Sequence, residues 1–168
     1  MNEREQAIVA LIPRLRRYAR ALTGSADLAD DLVQDCFERA LSRLVLWRHD
    51  PDPRAWLFTI MHNIYVNNVR RAQTRPDKDR LPEWETGSGT RPVQDDVVEL
   101  HSIAAALQRL PEDQREVVVL VGLEELSYRE TAAVLGVPIG TVMSRLARGR
   151  ERLRQLTGND AGKLRGTS

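Results

Sequence analysis

Apolar side chains recur every three to four residues along most of this 168-residue chain, and that spacing constrains its fold more than any other feature. The period matches the 3.6 residues per turn of an α-helix, whereas no segment shows the two-residue alternation of a half-buried β-strand. The sequence therefore predicts an all-α protein. No apolar run approaches the roughly 20 residues that a membrane-spanning helix needs, so we expect no membrane insertion.

The first part of the chain predicts three helices. One covers about residues 4–22, and a second begins after the N-cap Ser25 and continues to about residue 45. Residues 48–53 contain two prolines, which interrupt the pattern before a third helix at about residues 54–71. We expect the second helix to bury one apolar face, which consists of Leu28, Leu32, Val33, Cys36, Phe37, Ala40, Leu41 and Leu44.

The helical pattern stops after residue 72 and resumes at about residue 95. Prolines, a glycine-serine cluster and scattered charges fill the interval, which predicts a flexible acidic linker at 73–94. A helix over 95–110 and another that begins at Pro111 follow; the latter is expected to bury Val117, Val118, Leu120 and Val121. We therefore expect two small helical domains, at 1–72 and 95–157, and a disordered tail at 158–168.

Charge is distributed unevenly, although the formal net charge is only +1. Residues 131–168 carry seven basic and two acidic side chains, whereas residues 72–130 carry seven basic and thirteen acidic ones. This asymmetry predicts different partners along the chain. A single cysteine excludes an internal disulfide framework and a multi-cysteine zinc site. Because the N-terminus lacks the pattern of a secretory leader, we expect a cytoplasmic protein.

The basic end contains a helix-turn-helix pattern, which typically places its second helix in the DNA major groove. Ser127 and Glu130 have capping-box spacing, the helix that they begin stops at Gly136, and a turn at 137–140 leads into the second helix. One face of that helix is expected to pack inward through Val142, Leu146, Gly149 and Leu153. The other side presents Met143, Ser144, Ala147 and Arg148, surrounded by Arg145, Arg150, Arg152 and Arg154, which suit phosphates. An ordinary helical hairpin with a solvated basic face is the alternative.

Two helices of the first domain carry polar stripes. The stripe on the second helix consists of Asp27, Asp31, Gln34, Asp35 and Glu38, and periodicity alone favours a solvated face. The stripe on the third helix consists of Thr59, His62, Asn63, Asn67, Arg70 and Arg71. Amides and arginines beside aromatic rings suit single-stranded nucleic acid. Trp56 is such a ring, although its position also favours packing inward with Leu57, Ile60, Met61 and Ile64.

These motifs, taken in order, resemble those of bacterial sigma factors. The segments ADDLVQDCF at 29–37 and RAWLFTIMHN at 54–63 are similar to sigma region 2. The segment LPEDQREV at 110–117 and the helix-turn-helix at 126–146 are similar to sigma region 4. The two-domain layout with a short linker resembles the extracytoplasmic-function (group IV) sigma factors.

The resemblance implies a specificity subunit that binds core RNA polymerase, directs promoter-specific initiation and is regulated by an anti-sigma protein. It implies polymerase binding for Asp31, Gln34, Asp35 and Glu38. It implies contacts to the −10 promoter element for Trp56, Asn63, Asn67, Arg70 and Arg71, and capture of a flipped-out base by the loop at 48–53. It implies contacts to the −35 element for Thr141, Met143, Ser144, Arg145, Ala147, Arg148 and Arg150. The chain departs from the family pattern at two positions. Family members often have Lys or Arg where this chain has Met143, and a larger side chain where it has Ala147.

Two other functions remain open at this point: a free-standing helix-turn-helix regulator, and a sigma-like decoy that binds an anti-sigma protein without touching DNA. An enzyme is the least supported class. His49, His62 and His101 are isolated in sequence, and Cys36 occupies an apolar helical position typical of an inert core thiol. Without a phosphate-cradling glycine loop or metal-ligand spacing, we expect no cofactor, no metal and no small-molecule substrate.

Overall fold

The computed structural model describes residues 2–46, 52–74 and 103–158. These residues form two compact units, the first containing residues 2–46 and 52–74 and the second containing most of residues 103–158. Every regular element within the described ranges is helical, which confirms the all-α prediction.

The first unit is built from four helices. Helix α1 spans Glu3–Ala10, α2 spans Ile12–Thr23, α3 spans Ala26–Ser42 and α4 spans Pro53–Thr74, with a 3-10 turn at Leu44–Leu46 after α3. Helices α2, α3 and α4 pack against one another, and α1 contacts α2 and α4. The short α1 is therefore held mainly by its neighbours, since an isolated helix of this length is unstable in water.

An aromatic pair lies in the core of the first unit. The ring centroids of Tyr18 in α2 and Phe58 in α4 are 5.3 Å apart, and the rings meet edge to face at 84°. Pairs with this geometry contribute about 0.5–1.5 kcal/mol beyond the area that they bury. Other fully buried side chains of this unit include Ile8, Leu15, Ala19, Ala29, Cys36, Ala40, Leu57 and Met61.

The single helix predicted at residues 4–22 is wrong, because Pro13 divides it in two. Leu11 lies between α1 and α2, and its amide donates to the carbonyls of Ile8 and Val9. Proline has no amide hydrogen for the carbonyl of Val9, and its ring would clash with that carbonyl in a continuous helix. Pro13 instead occupies the first turn of α2, where the missing amide is tolerated.

The start of α1, the end of α2 and the start of α3 follow local capping rules. Gly24 ends α2 in the left-handed conformation, with φ at 70°, and Ser25 caps α3 by accepting a hydrogen bond from the amide of Leu28 at 3.3 Å, as the sequence predicts. Asn2 and Glu5 form a capping box at the start of α1. Side-chain caps thus mark the starts of α1 and α3, whereas no side chain caps the start of α2.

The predicted apolar face of α3 is correct at Leu32, Val33, Cys36 and Ala40, which are buried, whereas Leu28, Phe37 and Leu44 are only partly buried. Ala29 is buried although the predicted face omitted it, and Leu41 is 39% exposed. The helix ends at Ser42 rather than near Val45, and the following turn leaves Val45 89% exposed and Leu46 77% exposed. Once the chain leaves the helix, the 3.6-residue period no longer determines which side chains face inward.

The second unit contains a helix of which residues 103–108 are described (α5), followed by α6 at Glu112–Val118, a π-helical turn at Val119–Leu123, α7 at Tyr128–Leu135 and α8 at Ile139–Thr157. Helix α8 packs along α6. The buried side chains that these elements contribute include Val117, Val119, Leu120, Leu126, Val142, Leu146 and Leu153.

The π-helical turn accounts for an unusual run of buried residues. Val117, Val118, Val119 and Leu120 are consecutive and all buried, which a regular α-helix on a surface does not allow. The amide of Glu124 donates to the carbonyl of Val119 at 2.9 Å, five residues earlier, so the turn is widened by one residue. Val121, which was predicted to be buried, is partly exposed.

Two helix starts in the second unit differ from the prediction by one or two residues. Helix α8 begins at Ile139, so the predicted turn at 137–140 is shorter and Gly140 lies inside the helix. Pro111 is the residue that precedes α6 rather than its first residue, with ψ at 146°. Both prolines, Pro111 and Pro138, stand immediately before a helix, where their extended ψ directs the chain into the first turn.

Several predictions fall outside the described residues. They are the loop at 48–51, the linker from residue 75, the helix at 95–102 and the tail from residue 159. Residues 73 and 74, assigned above to the linker, belong to α4. Within the described part of the chain, no helix is both long and apolar enough to cross a membrane.

Candidate functional site

Four side chains of α3 form a continuous exposed stripe, which we name the α3 acidic stripe. Its members are Asp31, Gln34, Asp35 and Glu38. Their spacing of three or four residues places them on one side of the helix, opposite the buried Leu32, Val33, Cys36 and Ala40. The side-chain amide of Gln34 donates to Glu38 Oε1 at 3.4 Å, a one-turn contact along the stripe. The stripe thus offers three carboxylates and an amide to a partner.

Helix α4 begins with a hydrogen-bonded ion pair. Asp52 Oδ1 accepts the amide of Arg54 at 2.9 Å, and Asp52 Oδ2 accepts from the Arg54 guanidinium at 2.8 Å and 3.0 Å. The side-chain hydrogen bond from Arg54 holds the pKa of Asp52 below its ordinary value, against a smaller opposing effect of burial. The prediction missed this pair. An Asp directly before a Pro at the first helical position is the signal that identifies it.

One side of α4 carries the polar residues predicted to contact the −10 element, and we name them the α4 polar face. Asn63, Asn67, Arg70 and Arg71 are all exposed. Leu57, Phe58, Ile60, Met61 and Ile64 are buried on the other side. The amides and guanidinium groups therefore lie along one edge of the helix at successive turns.

Trp56 is placed differently from the expectation that it packs inward. Its side chain is partly exposed, whereas the adjacent Leu57 is fully buried. Trp56 precedes Asn63 by seven residues, which is nearly two full helical turns, so both residues lie on the same side of α4. An aromatic ring is therefore in line with the α4 polar face.

The helix-turn-helix geometry of the second unit depends on short-range hydrogen bonds. Ser127 Oγ accepts the amide of Glu130 at 3.0 Å, and Glu130 Oε1 accepts the amide of Ser127 at 2.9 Å, which completes the predicted capping box. Gly136 ends α7 with φ at 66°, a conformation that favours glycine. After Pro138 the chain enters α8 directly, so the turn between α7 and α8 is tight.

Helix α8 separates an inward face from an outward one as predicted. Val142, Leu146, Gly149 and Leu153 are buried. We name the outward residues the α8 outer face: Met143, Ser144, Ala147, Arg148 and Arg150 are exposed, and Thr141 is partly exposed beside them. Arg152 and Arg154 continue the exposed positive charge toward the end of the helix.

Arg145, like Thr141, is a predicted −35 contact whose side chain is only partly exposed. Its side chain is 27% exposed, and its Nε lies 3.7 Å from Asp113 Oδ2 near the start of α6. This ion pair connects two elements that are distant in sequence, so local periodicity gave no sign of it. Arg145 is therefore suited to holding α8 against α6 as well as to contacting a phosphate.

The remaining reactive groups of the described residues give no catalytic constellation. Cys36 is fully buried, its thiol donates to the carbonyl of Leu57 at 3.5 Å, and burial raises its pKa to about 12. Such a thiol is protonated and unreactive at neutral pH. No group of three or more His, Cys, Asp or Glu side chains suited to a metal ion occurs in the described ranges.

Comparisons with known proteins match both units. Residues 8–62 match the family model described as "Sigma2 domain of PhyR", and residues 100–153 match that described as "Sigma-70, region 4". The ECF RNA polymerase sigma factor EcfG of Rhodopseudomonas palustris is 38% identical over 149 residues, which cover 89% of this chain and 82% of that protein. SigM of Mycobacterium tuberculosis is 34% identical, with 86% of this chain and 72% of that protein covered.

Solved structures give the same result. The sigma factor RpoE of Bartonella quintana, in complex with the anti-sigma factor NepR, superposes with a TM-score of 0.74 at 31% identity. The superposition covers 90% of this chain and 94% of the RpoE chain. CnrH in complex with the cytosolic domain of CnrY superposes with a TM-score of 0.67 at 30% identity. The superposition covers 92% of this chain and 87% of the CnrH chain.

Proposed function

Since the chain belongs to the extracytoplasmic-function RNA polymerase sigma factors, we propose that it binds core RNA polymerase and directs the enzyme to promoters. One observation carries the proposal: the relationship extends over 89% of the chain and includes both helical units. A free-standing helix-turn-helix regulator needs only the second unit and leaves the α3 acidic stripe and the α4 polar face without a role.

We assign polymerase binding to the α3 acidic stripe. Asp31, Gln34, Asp35 and Glu38 are exposed on a helix whose other side is anchored in the core. A rigid helix presents three carboxylates at fixed spacing, which suits a basic surface on the polymerase and increases the association rate. In this assignment residues 1–72 form sigma region 2.

We assign recognition of the melted −10 strand to the α4 polar face together with Trp56. Amides of Asn63 and Asn67 can hydrogen-bond to the edges of unpaired bases, and a tryptophan ring offers a surface for stacking. Arg70 and Arg71 supply positive charge for the phosphates at the C-terminal end of the same face. Duplex DNA does not expose unpaired base edges, so this surface favours the opened strand.

We assign −35 recognition to the α8 outer face, with residues 95–157 as sigma region 4. In a helix-turn-helix the second helix enters the major groove, and α8 is that helix. Arg148 provides the hydrogen-bond donors suited to a guanine edge, whereas Arg150 and Arg152 suit phosphates. Residues 73–94 would then connect the two DNA-binding regions.

Regulation by an anti-sigma protein is part of the proposal. Two related structures contain sigma factors in complex with the anti-sigma factor NepR and with the cytosolic domain of CnrY. Sigma factors form a non-enzymatic regulatory family. We propose that this chain likewise catalyses no reaction and acts by positioning the polymerase and stabilising opened DNA.

The experiment that tests the proposal is titration of core RNA polymerase with the labelled full-length chain, followed by initiation assays on duplex promoters. We expect saturable binding that another sigma factor displaces, and core-dependent initiation. A folded, partner-free chain that does not bind core polymerase would contradict the proposal. A footprint on duplex DNA without core would then indicate a free-standing regulator, and binding to an anti-sigma protein alone would indicate a decoy.

A further inference from the structure

Two apolar side chains lie next to each other along one edge of the α8 outer face. Met143 is 52% exposed, and Ala147, one turn later, is also exposed. Residues four apart lie on the same side of a helix, about 6 Å apart along its axis. We name this pair the α8 methyl strip.

The polar groups beside the strip provide few hydrogen-bond donors for base edges. The hydroxyl of Ser144 donates to the carbonyl of Thr141 at 3.1 Å, and Arg145 is directed toward Asp113. Arg148 is the exposed donor next to Ala147. A surface with this composition contacts apolar groups over much of its area and forms hydrogen bonds at one end.

The major groove of DNA presents one apolar group, the C5-methyl of thymine. The positive charge beside the strip, from Arg148 and Arg150, is complementary to the phosphates that line that groove. The spacing of about 6 Å between Met143 and Ala147 approximates two base-pair steps of 3.4 Å. The strip therefore has the chemistry, the surrounding charge and the dimensions to contact thymine methyl groups.

We propose that Met143 and Ala147 determine part of the promoter specificity by packing against thymine C5-methyl groups in the −35 element. This inference rests on the proposed function, because it requires α8 to enter the major groove. Discrimination then comes partly from van der Waals contact and exclusion of water, whereas Arg148 contributes hydrogen bonds at an adjacent base pair. Replacement of a contacted thymine by deoxyuridine removes one methyl group and preserves base pairing.

The test uses holoenzyme reconstituted from core polymerase and the full chain. Duplexes with a randomised upstream segment are selected by binding, and the preferred segment is then synthesised with thymine or with deoxyuridine. We expect the wild-type holoenzyme to bind the deoxyuridine duplex about fourfold more weakly for each contacted methyl group. Met143→Ala and Ala147→Gly should reduce this thymine-to-deoxyuridine ratio toward one. Gln155→Ala is the control, since residue 155 is exposed on α8 but lies outside the α8 outer face, and it should preserve the ratio.

For each variant, the ratio compares the affinities of two duplexes for the same protein preparation. A general loss of DNA affinity or of folded protein therefore leaves the ratio unchanged. Equal binding of the two duplexes by wild type, or a selected segment without preferred thymines, would overturn the inference. An undiminished ratio in both strip variants would also overturn it, since the methyl effect would then arise from DNA shape. If the proposed function itself is wrong, the chain will fail to bind core polymerase before DNA is added. That result differs from a failure of the methyl-contact inference, which is observed only in DNA binding by the assembled holoenzyme.

Discussion

Gly149 of α8 lies so close to Val118 of α6 that a Cβ atom at position 149 would be 2.6 Å from Val118 Cγ2 and 3.4 Å from the carbonyl oxygen of Gln114. Glycine costs a helix interior about 1 kcal/mol relative to alanine. The close contact explains why a glycine occupies position 149: without a Cβ atom there, α8 can lie directly on α6.

We expect Gly149→Ala to destabilise the second unit by about 1 kcal/mol. Overpacking typically costs ~1–3 kcal/mol, which exceeds the gain in helix propensity. Thermal unfolding followed by circular dichroism measures the effect. Gly140→Ala is the matched control, since a Cβ at position 140 meets nothing within 4 Å and should leave stability equal or higher. A Gly149→Ala protein at least as stable as wild type would show that the contact is not tight.

The buried thiol predicts a large difference in reactivity between the folded and unfolded chain. Burial raises the pKa of Cys36 to about 12, although the Arg39 charge acts in the opposite direction. At pH 8 the thiolate fraction is then about a thousandfold lower than for an unperturbed thiol with a pKa of about 8.5. We expect iodoacetamide to modify Cys36 at least that much more slowly in the native protein than in denaturant. Comparable rates would indicate that the thiol is accessible.

The Asp52–Arg54 pair predicts a pH-dependent contribution to stability. Because the pKa of Asp52 is lowered, its contribution is present above the unfolded pKa of about 3.9 and is lost as the pH falls through the folded value. We expect Asp52→Asn, which retains a capping oxygen but no charge, to unfold at a lower temperature than wild type at pH 7. The difference should decrease below about pH 4. Asp52→Ala, which removes the cap as well, should be less stable at both pH values.

The α3 acidic stripe predicts a loss of polymerase binding without loss of fold. Asp31→Arg combined with Gln34→Ala should weaken core binding at least tenfold, because a like charge would face a basic partner surface. Glu3→Arg is the control, since residue 3 is an exposed acidic residue on α1, outside the α3 acidic stripe. Fluorescence titration of core polymerase measures all three proteins. Equal affinities for wild type and the double variant would rule out the stripe as the interface.

The α8 outer face predicts a defect that depends on the state of the promoter. Arg148→Ala should reduce initiation about tenfold or more on duplex templates, since a bidentate contact to a base contributes ~1–3 kcal/mol. Initiation on templates already melted at −10 should decrease far less, because the α4 polar face can bind the open strand directly. Start-site assays on paired templates measure both effects. An equal decrease on both would remove Arg148 from −35 recognition.

Much of the fold could be predicted because the helices follow local rules. The period of apolar residues identified α3, α4 and α8, and the caps at Ser25 and Ser127 identified helix starts. The prediction was wrong where one residue opposed the pattern. The apolar period continues through Pro13, yet proline chemistry divides the helix.

Features that depend on tertiary contact could not be predicted from periodicity. The π-helical turn after Val118 widens the helix by one residue, and no local signal in the sequence marks that extra residue. The stripes of the candidate site were predictable as exposed faces. The orientation of Arg145 was not, because its partner Asp113 lies in another helix.

The contacts of α8 with α6 determine the rotation of the recognition helix about its own axis. Successive side chains differ by 100° in direction, so a rotation by a fraction of that angle would bring a different side chain to the centre of the outer face. Gly149 against Val118 and Arg145 beside Asp113 fix that angle at two points. Promoter preference can therefore diverge between related proteins through substitutions at positions 113 and 118, which leave every exposed side chain of the recognition helix unchanged.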